Sequence, residues 1–401
     1  MNQPLVTIVT PSFNQGHFIQ ATIESVLSQD YPHIEYIVMD GGSSDDTAEV
    51  VRPYADAKRL TFISEKDRGQ SDAINKGFRM AQGSIVAWLN SDDIYLPGAV
   101  SAAVNGFMEK PNTGAIYGEG FQIDREGKVK SKFPFTEPFN LWKLAYSLDY
   151  ILQQTVFFRR DALHQVGWID ESLHFGMDWD ILVKLGKRFG LHYIPMEMGA
   201  IREYEDAKSF AGGAKRFAEL GALIRRQSGQ RFAPGYIFYG LDTYEKIWCP
   251  LVRRIVPGAL GELAARRLSH LCRYFIDRSY YLSQGLYRDG WAAEKMHFMI
   301  PEGRRKILFR GENIQLSDLL EGQILVVESN GLELGRIQPD WGEFRLELDA
   351  PLHMQGKCLN LDVFASKSVV PSRIGNSSDS RRLAFRFIEF QWTEPGATHI
   401  Y

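Results

Sequence analysis

Three short acidic segments in the first half of the chain have residue types and spacings that suit metal, nucleotide and proton-transfer chemistry. The first is Asn90-Ser91-Asp92-Asp93. Carboxylates clustered at a turn suit a hard cation, Mg²⁺ or Mn²⁺, that also grips phosphate oxygens. The same letters also make a plain turn, or a helix N-cap ahead of Pro97. The second is Asp40 with the run Gly41-Gly42-Ser43-Ser44-Asp45-Asp46-Thr47 behind it. A carboxylate there can accept from a base N–H or a ribose hydroxyl, and the glycines let a ligand approach the backbone. A strand-to-helix turn with a capping serine fits equally well. The third is Met177-Asp178-Trp179-Asp180, ahead of the apolar helical pattern Ile181, Leu182, Leu185. Asp178 is of the type of a general base and Asp180 of a first-turn partner for the helix dipole. Both also fit as ordinary N-terminal helix acids.

Such groups need elements to hold them. Residues 5–10 (LVTIVT), 34–39 (IEYIVM), 60–64 and 85–89 (IVAWL) read as strands, and residues 18–28, 45–54 and 71–81 read as helices between them. Ser43 or Ser44 is the expected cap of the second helix, Gly83 the stop of the third, and Pro97 the opening of a fourth. This alternation predicts an α/β fold: a Rossmann-like, mostly parallel sheet with helices on both faces. Ligands of such sheets bind beyond the carboxyl ends of the strands. Pro11-Ser12-Phe13-Asn14, Asp40, residues 65–69 (EKDRG) and Asn90-Ser91-Asp92-Asp93 follow the four strands, so polar groups collect along one edge.

The combination of segments carries a resemblance. Residues 6–47 (VTIVTPSFNQGHFIQATIESVLSQDYPHIEYIVMDGGSSDDT) resemble the opening of family 2 glycosyltransferases, which have the GT-A fold. The likeness continues, in order, through EKDRGQSDAINKGF (65–78), WLNSDD (88–93), QQTVFFRRDALHQVGWIDESL (153–173) and MDWDILVKL (177–185). It implies an inverting transfer of a sugar from a nucleotide-sugar to an acceptor hydroxyl, with a UDP-sugar donor, in bacterial surface-polysaccharide synthesis. By the same resemblance Thr10, Pro11 and Phe13 line the nucleotide pocket, Asp40 reads a uracil-like edge, and Asp67, in the loop that Gly69 closes, flanks the base. Asn90 holds the place where many relatives have an Asp contacting the ribose, and Gly69 and Ser91 count among the nucleotide-binding residues. Asp92, with Asp93 beside it, matches the ligand of a divalent metal, Mn²⁺ or Mg²⁺. Asp178 matches the catalytic base, and Gln154, Thr155 and Trp179 fall on the acceptor side. Trp179 fits core packing as well.

The chain departs from the family pattern at three places. Asn90 leaves Asn-Ser-Asp where many relatives have Asp-x-Asp. Met177 stands where many have Glu. Tyr204, in IREYEDAKS (201–209), holds the place of a His that in some relatives helps ligate the metal, while Arg202 and Lys208 remain as diphosphate contacts or solvated surface charges.

The remainder of the 401 residues lies outside the resemblance, and length alone predicts two or three domains. The expected division is 1–210 for the catalytic domain, 211–300 for a basic helical segment and 301–401 for a β-rich accessory domain. Runs such as 324–328, 344–348 and 383–392 predict a small C-terminal antiparallel β-sandwich. Formal charge is uneven: −8 over 1–210, +10 over 211–310 and −5 over 311–401, inside a total of −3. Residues 248–281 combine arginine pairs with apolar residues, which suits either peripheral contact with a membrane or interdomain packing. No nucleic-acid motif accompanies the charge. A hydrophobic content of 44% excludes wholesale disorder, and three scattered cysteines exclude a disulfide scaffold. Neither a signal peptide nor a transmembrane span is expected, so the location expected is the cytoplasm or the inner face of a membrane. The expected partners are a nucleotide-sugar and a glycan or lipid-linked glycan acceptor. Two rivals are a nucleotidyltransferase or sugar-nucleotide hydrolase on the same scaffold, and a non-catalytic glycan-binding protein.

Overall fold

The computed structural model describes residues 3–204, 212–282, 284–287, 289–303, 306–351, 357–375, 377–394 and 397–400. It divides into two compact units, Met1–Phe139 with Asp149–Glu219, and Asn140–Leu148 with Leu220–Tyr401.

The first unit opens with β1 (Val6–Ser12), α1 (Gly16–Leu27), β2 (Ile34–Asp40), α2 (Thr47–Asp56), β3 (Thr61–Ser64), α3 (Gln70–Met80) and β4 (Ile85–Trp88). β5 (Ile94–Tyr95), α4 (Ala99–Glu109), β6 (Ala115–Ile123) and β7 (Val129–Lys132) follow. After α5 (Leu141–Tyr146), which belongs to the second unit, come β8 (Phe157–Arg159), α6 (Arg160–Val166), α7 (Met177–Phe189) and β9 (Leu191–Arg202). The sheet order is β3-β2-β1-β4-β8-β6-β9-β5, with β7 on β6. β1, β2, β3 and β4 pair in parallel, as do β6 and β9, while β8 is antiparallel to both of its neighbours. The α/β class and the mostly parallel sheet therefore hold.

The burial pattern explains why. All seven residues of β1 are buried, as a strand covered on both faces requires. Pro11 sits in β1 without breaking the ladder. Backbone groups alternate between neighbours along a strand: Val9 O accepts from Leu89 N on the β4 side, and Ser12 O accepts from Gly41 N on the β2 side. Pro11 faces the β4 side just past the last β4 pair, so its missing N–H costs no bond.

Two local expectations are corrected. α2 is not capped by Ser43 or Ser44. Asp45 Oδ1 instead accepts from Thr47 N at 3.1 Å, while Ser43 and Ser44 turn toward Asn14. Pro97 does not open α4, whose N-cap is Gly98 in the left-handed region.

β6 and β9 approach closely at Gly120 and Gly199, which are paired in register. A Cβ on Gly120 would lie 2.1 Å from the Gly199 carbonyl oxygen, and one on Gly199 would lie 2.8 Å from the Gln154 carbonyl oxygen. Both obstacles are backbone and cannot rotate away. Gly120→Ala is therefore expected to lower stability by more than about 2 kcal/mol, or to block folding, with thermal unfolding as the measurement. A melting temperature equal to wild type would refute the contact.

The second unit holds α5, most of α8 (Gly213–Ser228), α9 (Pro234–Ile255) and α10 (Ala259–Leu282). It ends in two antiparallel sheets. One is built from β10 (Trp291–Ala292), β12 (Lys306–Asn313), β15 (Gly342–Asp349), β17 (Phe385–Glu394) and β18 (Ala397–Ile400). The other contains β11 (Lys295–Ile300), β13 (Leu325–Ser329), β14 (Leu332–Ile337) and β16 (Leu359–Ala365). Inward residues of both sheets, among them Phe298, Phe309, Val327, Val363 and Phe390, share one core. β12, β13 and β16 alternate buried and half-buried residues, the period of a sandwich strand. The expected β-sandwich is present.

Candidate active site

Because β1 to β4 are parallel, their carboxyl ends open on one edge. Hydrogen bonds stitch that edge together loop by loop. Asn14, in the left-handed region, donates its N–H to Ser43 Oγ at 2.8 Å and accepts from Ser44 N at 2.9 Å. Gln15 N donates to Thr47 Oγ1. Asp40 is buried at the end of β2 and accepts from Gly42 N, Ser43 N and Ser64 Oγ, and from the Ser43 hydroxyl. Four donors fill its lone pairs, so Asp40 first of all holds its own turn. The partly buried Asp67 carboxylate accepts from Gly69 N at 2.9 Å and lies where a Cβ on Gly41 would be 2.6 Å from its Oδ2. Glycine at position 41 thus leaves room for Asp67.

The turn after β4 is the most heavily bonded part. Asn90 Oδ1 accepts from Gln70 Nε2 at 2.7 Å, and Asn90 Nδ2 donates to Asp93 Oδ2 at 3.0 Å. Asp93 is buried and also accepts from Gln154 Nε2 at 2.6 Å and Arg202 N at 2.8 Å. Burial pushes its carboxyl up to about 8, with the neighbouring Asp92 charge adding to the rise. Asp92 differs: its Oδ2 accepts from the Tyr204 hydroxyl at 2.8 Å, and burial raises its carboxyl above the ordinary range. Tyr204 therefore stands against the carboxylate as a neutral donor, its ring tilted on Phe18 with centroids 5.1 Å apart.

Asp178 lies in the first turn of α7, where the helix dipole favours a negative charge, and its Oδ1 accepts from Trp179 N at 2.8 Å. Gln70 ties the first residue of α3 to Asn90, and the next residue, Ser71, points its hydroxyl at Met177 Sδ, 2.7 Å away. Asp178 and the Asn90-Ser91-Asp92-Asp93 turn thus flank the first turn of α3. Met177 is buried against Ser71, so this departure from the family pattern places no charge beside Asp178.

Several expected roles change once burial is known. Thr10 is buried with its hydroxyl on Tyr36 at 3.0 Å, and Pro11 and Ser91 are buried as well. Of Thr10, Pro11 and Phe13, Phe13 is the exposed one, at 60%. Trp179 is enclosed in the core, which leaves no ring face for a sugar; core packing is the reading that holds. Thr155 is fully buried, bonded to the Gly118 and Leu152 carbonyls. Gln154 is buried with its Nε2 donating to Asp93, while its Oε1 has no hydrogen-bond partner among the described residues. Arg202 is no solvated charge: its guanidinium donates to the carbonyls of Asp92, Asp124 and Arg125 and lies over Phe18. It clamps the turn after β4. Lys208 lies outside the described residues.

Sequence reasoning missed two groups. Asp149 lies near Asp178, and burial, then the Asp178 charge, holds its carboxyl well above the usual range. Glu219 accepts from the backbone N–H groups of His174, Phe175 and Gly176, fixing the approach to α7. Nothing in the local letters marks either one, since both act through distant segments.

Among the described residues, no group of three or more His, Cys, Asp and Glu side chains gathers as a metal site. A divalent cation nevertheless fits at Asp92. A hard cation of the Mg²⁺ type needs only one or two protein carboxylates and completes its shell with phosphate and water. The raised carboxyl of Asp92 is what an adjacent cation would reverse. Asp93 has both oxygens engaged by protein donors, Asn90, Gln154 and the Arg202 N–H, and positions the turn.

Residues 7–167 match the model of glycosyl transferase family 2, and the first unit carries a domain of that family. Two curated relatives are chondroitin synthase of Escherichia coli and a UDP-Glc:alpha-D-GlcNAc-diphosphoundecaprenol beta-1,3-glucosyltransferase, also of Escherichia coli. The first is 30% identical over 185 residues, 46% of this chain and 27% of that protein. The second is 34% identical over 133 residues, 33% of this chain and 52% of that protein. The chain thus spans about a quarter to a half of these relatives' lengths. Among solved structures, a mannosyltransferase from Pyrobaculum calidifontis is 19% identical, with a TM-score of 0.48 over 70% of this chain and 86% of that one.

Proposed function

We propose that this chain is an inverting, metal-dependent glycosyltransferase of surface-polysaccharide synthesis. It moves a sugar from a UDP-sugar to a hydroxyl of a glycan or a lipid-linked glycan. One observation carries the reading: the turn that carries Asp92 and the helix start that carries Asp178 both meet the first turn of α3, through Asn90 and Met177, on the edge where the parallel strands end. The names of the two curated relatives, a polysaccharide synthase and a UDP-glucose-dependent transferase onto a diphospholipid, support the substrate class.

In this mechanism Asp92 would hold a divalent ion, with Tyr204 steadying its carboxylate and Arg202 and Asp93 fixing the turn. Such an ion, when bound, would supply positive charge opposite the leaving diphosphate. Asp178 takes the proton of the acceptor hydroxyl as that oxygen attacks the anomeric carbon, and no covalent intermediate is needed. Asp67 and the exposed ring of Phe13 flank the base, while Asp40 and its four donors shape the floor of that subsite. Contact of residues 248–281 with a membrane stands on separate observations.

A thermal-shift panel of nucleotide-sugars with and without Mn²⁺ tests the reading. A UDP-sugar with Mn²⁺ at a hundred times its dissociation constant is expected to stabilise the fold by about 2.7 kcal/mol, and chelation should abolish the rise. Absence of any nucleotide affinity would point to a glycan-binding protein instead, and release of pyrophosphate from a sugar phosphate to a nucleotidyltransferase.

A further inference from the structure

α9 and α10 form an antiparallel hairpin. Glu245 meets Ser269 at 2.5 Å, Cys249 meets the Ala265 carbonyl at 3.5 Å, and Arg253 meets Glu262 at 2.8 Å, so the partner's number falls as the first rises. The seam between the helices is buried at Phe238, Cys249, Ala265 and Cys272.

A second apolar stripe runs along each helix, outside that seam. On α9 it is Ile237, Tyr244, Trp248, Leu251 and Ile255, the spacing of one helix face. On α10 it is Leu260, Leu263, Leu271, Tyr274 and Phe275. The nine aliphatic, Trp and Phe/Tyr members other than Tyr244 are exposed, up to 67% at Ile255 and 73% at Leu260. At 100° per residue, each stripe is turned about 120° from the seam, in the same sense on both helices. In an antiparallel pair, equal turns of the same sense bring both stripes to one side. The hairpin therefore presents a single broad apolar face.

Its charges are sorted as well. Arg253, Arg266 and Arg273 lie on the other side, where Glu262 and Glu245 pair with them. Arg267 falls within the α10 stripe, between Leu263 and Leu271, and Arg254 borders the α9 stripe. Neither has an ion-pair partner among the described residues, and no Asp or Glu of residues 234–276 falls on the apolar side. Among the described residues, no helix is long and apolar enough to cross a membrane.

We propose that this face is a docking surface for an anionic lipid bilayer, with the hairpin lying in the interface plane. Apolar and aromatic residues enter the headgroup boundary, and Arg254 and Arg267 meet lipid phosphates. Charge complementarity selects this occupant over a second copy of the chain. Two copies meeting on this face would oppose arginines with no carboxylate to pair them, whereas an anionic membrane supplies the missing sign at Arg254 and Arg267.

Co-sedimentation of the full chain tests this, with vesicles of phosphatidylcholine alone and of equal parts phosphatidylcholine and phosphatidylglycerol. The wild type is expected to pellet with the anionic vesicles and stay in solution with the neutral ones. The double variant Trp248→Glu/Leu271→Glu, whose side chains are exposed, should stay in solution with unchanged circular dichroism. Arg254→Ala/Arg267→Ala should weaken the partition by about fivefold per arginine. Three results would overturn the proposal: wild type free of both vesicles, the glutamate variant pelleting like wild type, or a wild-type dimer that the glutamate variant converts to monomer.

Discussion

Asp178→Asn is expected to slow sugar transfer by roughly 10²–10⁴-fold, the usual worth of a positioned general base, with melting temperature and nucleotide affinity unchanged. Asparagine is nearly isosteric and keeps an oxygen for the Trp179 N–H, so the start of α7 should survive. What it lacks is a site for the acceptor's proton. Asp178 sits where the helix dipole favours a negative charge. Burial, and then the Asp178 charge, raises the nearby Asp149 carboxyl well above the usual range. The decisive measurement is kcat for transfer, beside a thermal shift with UDP-sugar. A variant that transfers at the wild-type rate would remove Asp178 from the mechanism. One that loses nucleotide affinity along with rate would make it a binding or folding residue.

The second large effect belongs to Asp92. Asp92→Asn keeps the carbonyl oxygen that Tyr204 donates to and keeps the Arg202 bond to the main chain, so the turn should hold. It removes the one carboxylate of that turn whose oxygens are not consumed by Asp93's three donor groups. A metal that polarises a leaving phosphate supplies several kcal/mol, which corresponds to roughly a thousandfold in rate. The expected result is a loss of that order in transfer, with the Mn²⁺-dependent part of the thermal shift abolished and the fold intact. Two readouts are needed because activity alone would not separate metal loss from other damage. An Asp92→Asn protein with wild-type Mn²⁺ affinity would move the metal elsewhere. One with wild-type turnover would dispense with the ion altogether.

These two residues show how far the letters reach. β1 to β4 lie within two residues of their expected spans; for β1, β2 and β4 this is because a largely buried parallel strand is a near-continuous apolar run, while β3 is a short, less buried edge strand. The strand ends, and hence the edge on which Asp40, Asp67, Asn90 and Asp92 collect, follow from that local chemistry. The amphipathic period of residues 248–281 was equally legible, but not which arginines are paired. Direction and burial of side chains were not. Adjacent aspartates read alike in the sequence, yet Asp93 turns inward to Gln154, 61 positions on, and to Arg202, 109 positions on, while Asp92 meets Tyr204 across 112 positions. Trp179, one residue from the proposed base, points into the core by the helical turn that sends Asp178 outward. The sequence by itself determined the parallel α/β sheet and the polar edge, because these depend on residues close in the chain, and it supplied the carboxylates proposed as base and metal ligand through the resemblance. Only the tertiary structure decided that Asp93, Arg202 and Glu219 brace the site, that the buried Asp149 lies near Asp178, and that two helical stripes join into one apolar face. Each of those depends on contacts whose partners the chain brings together only on folding.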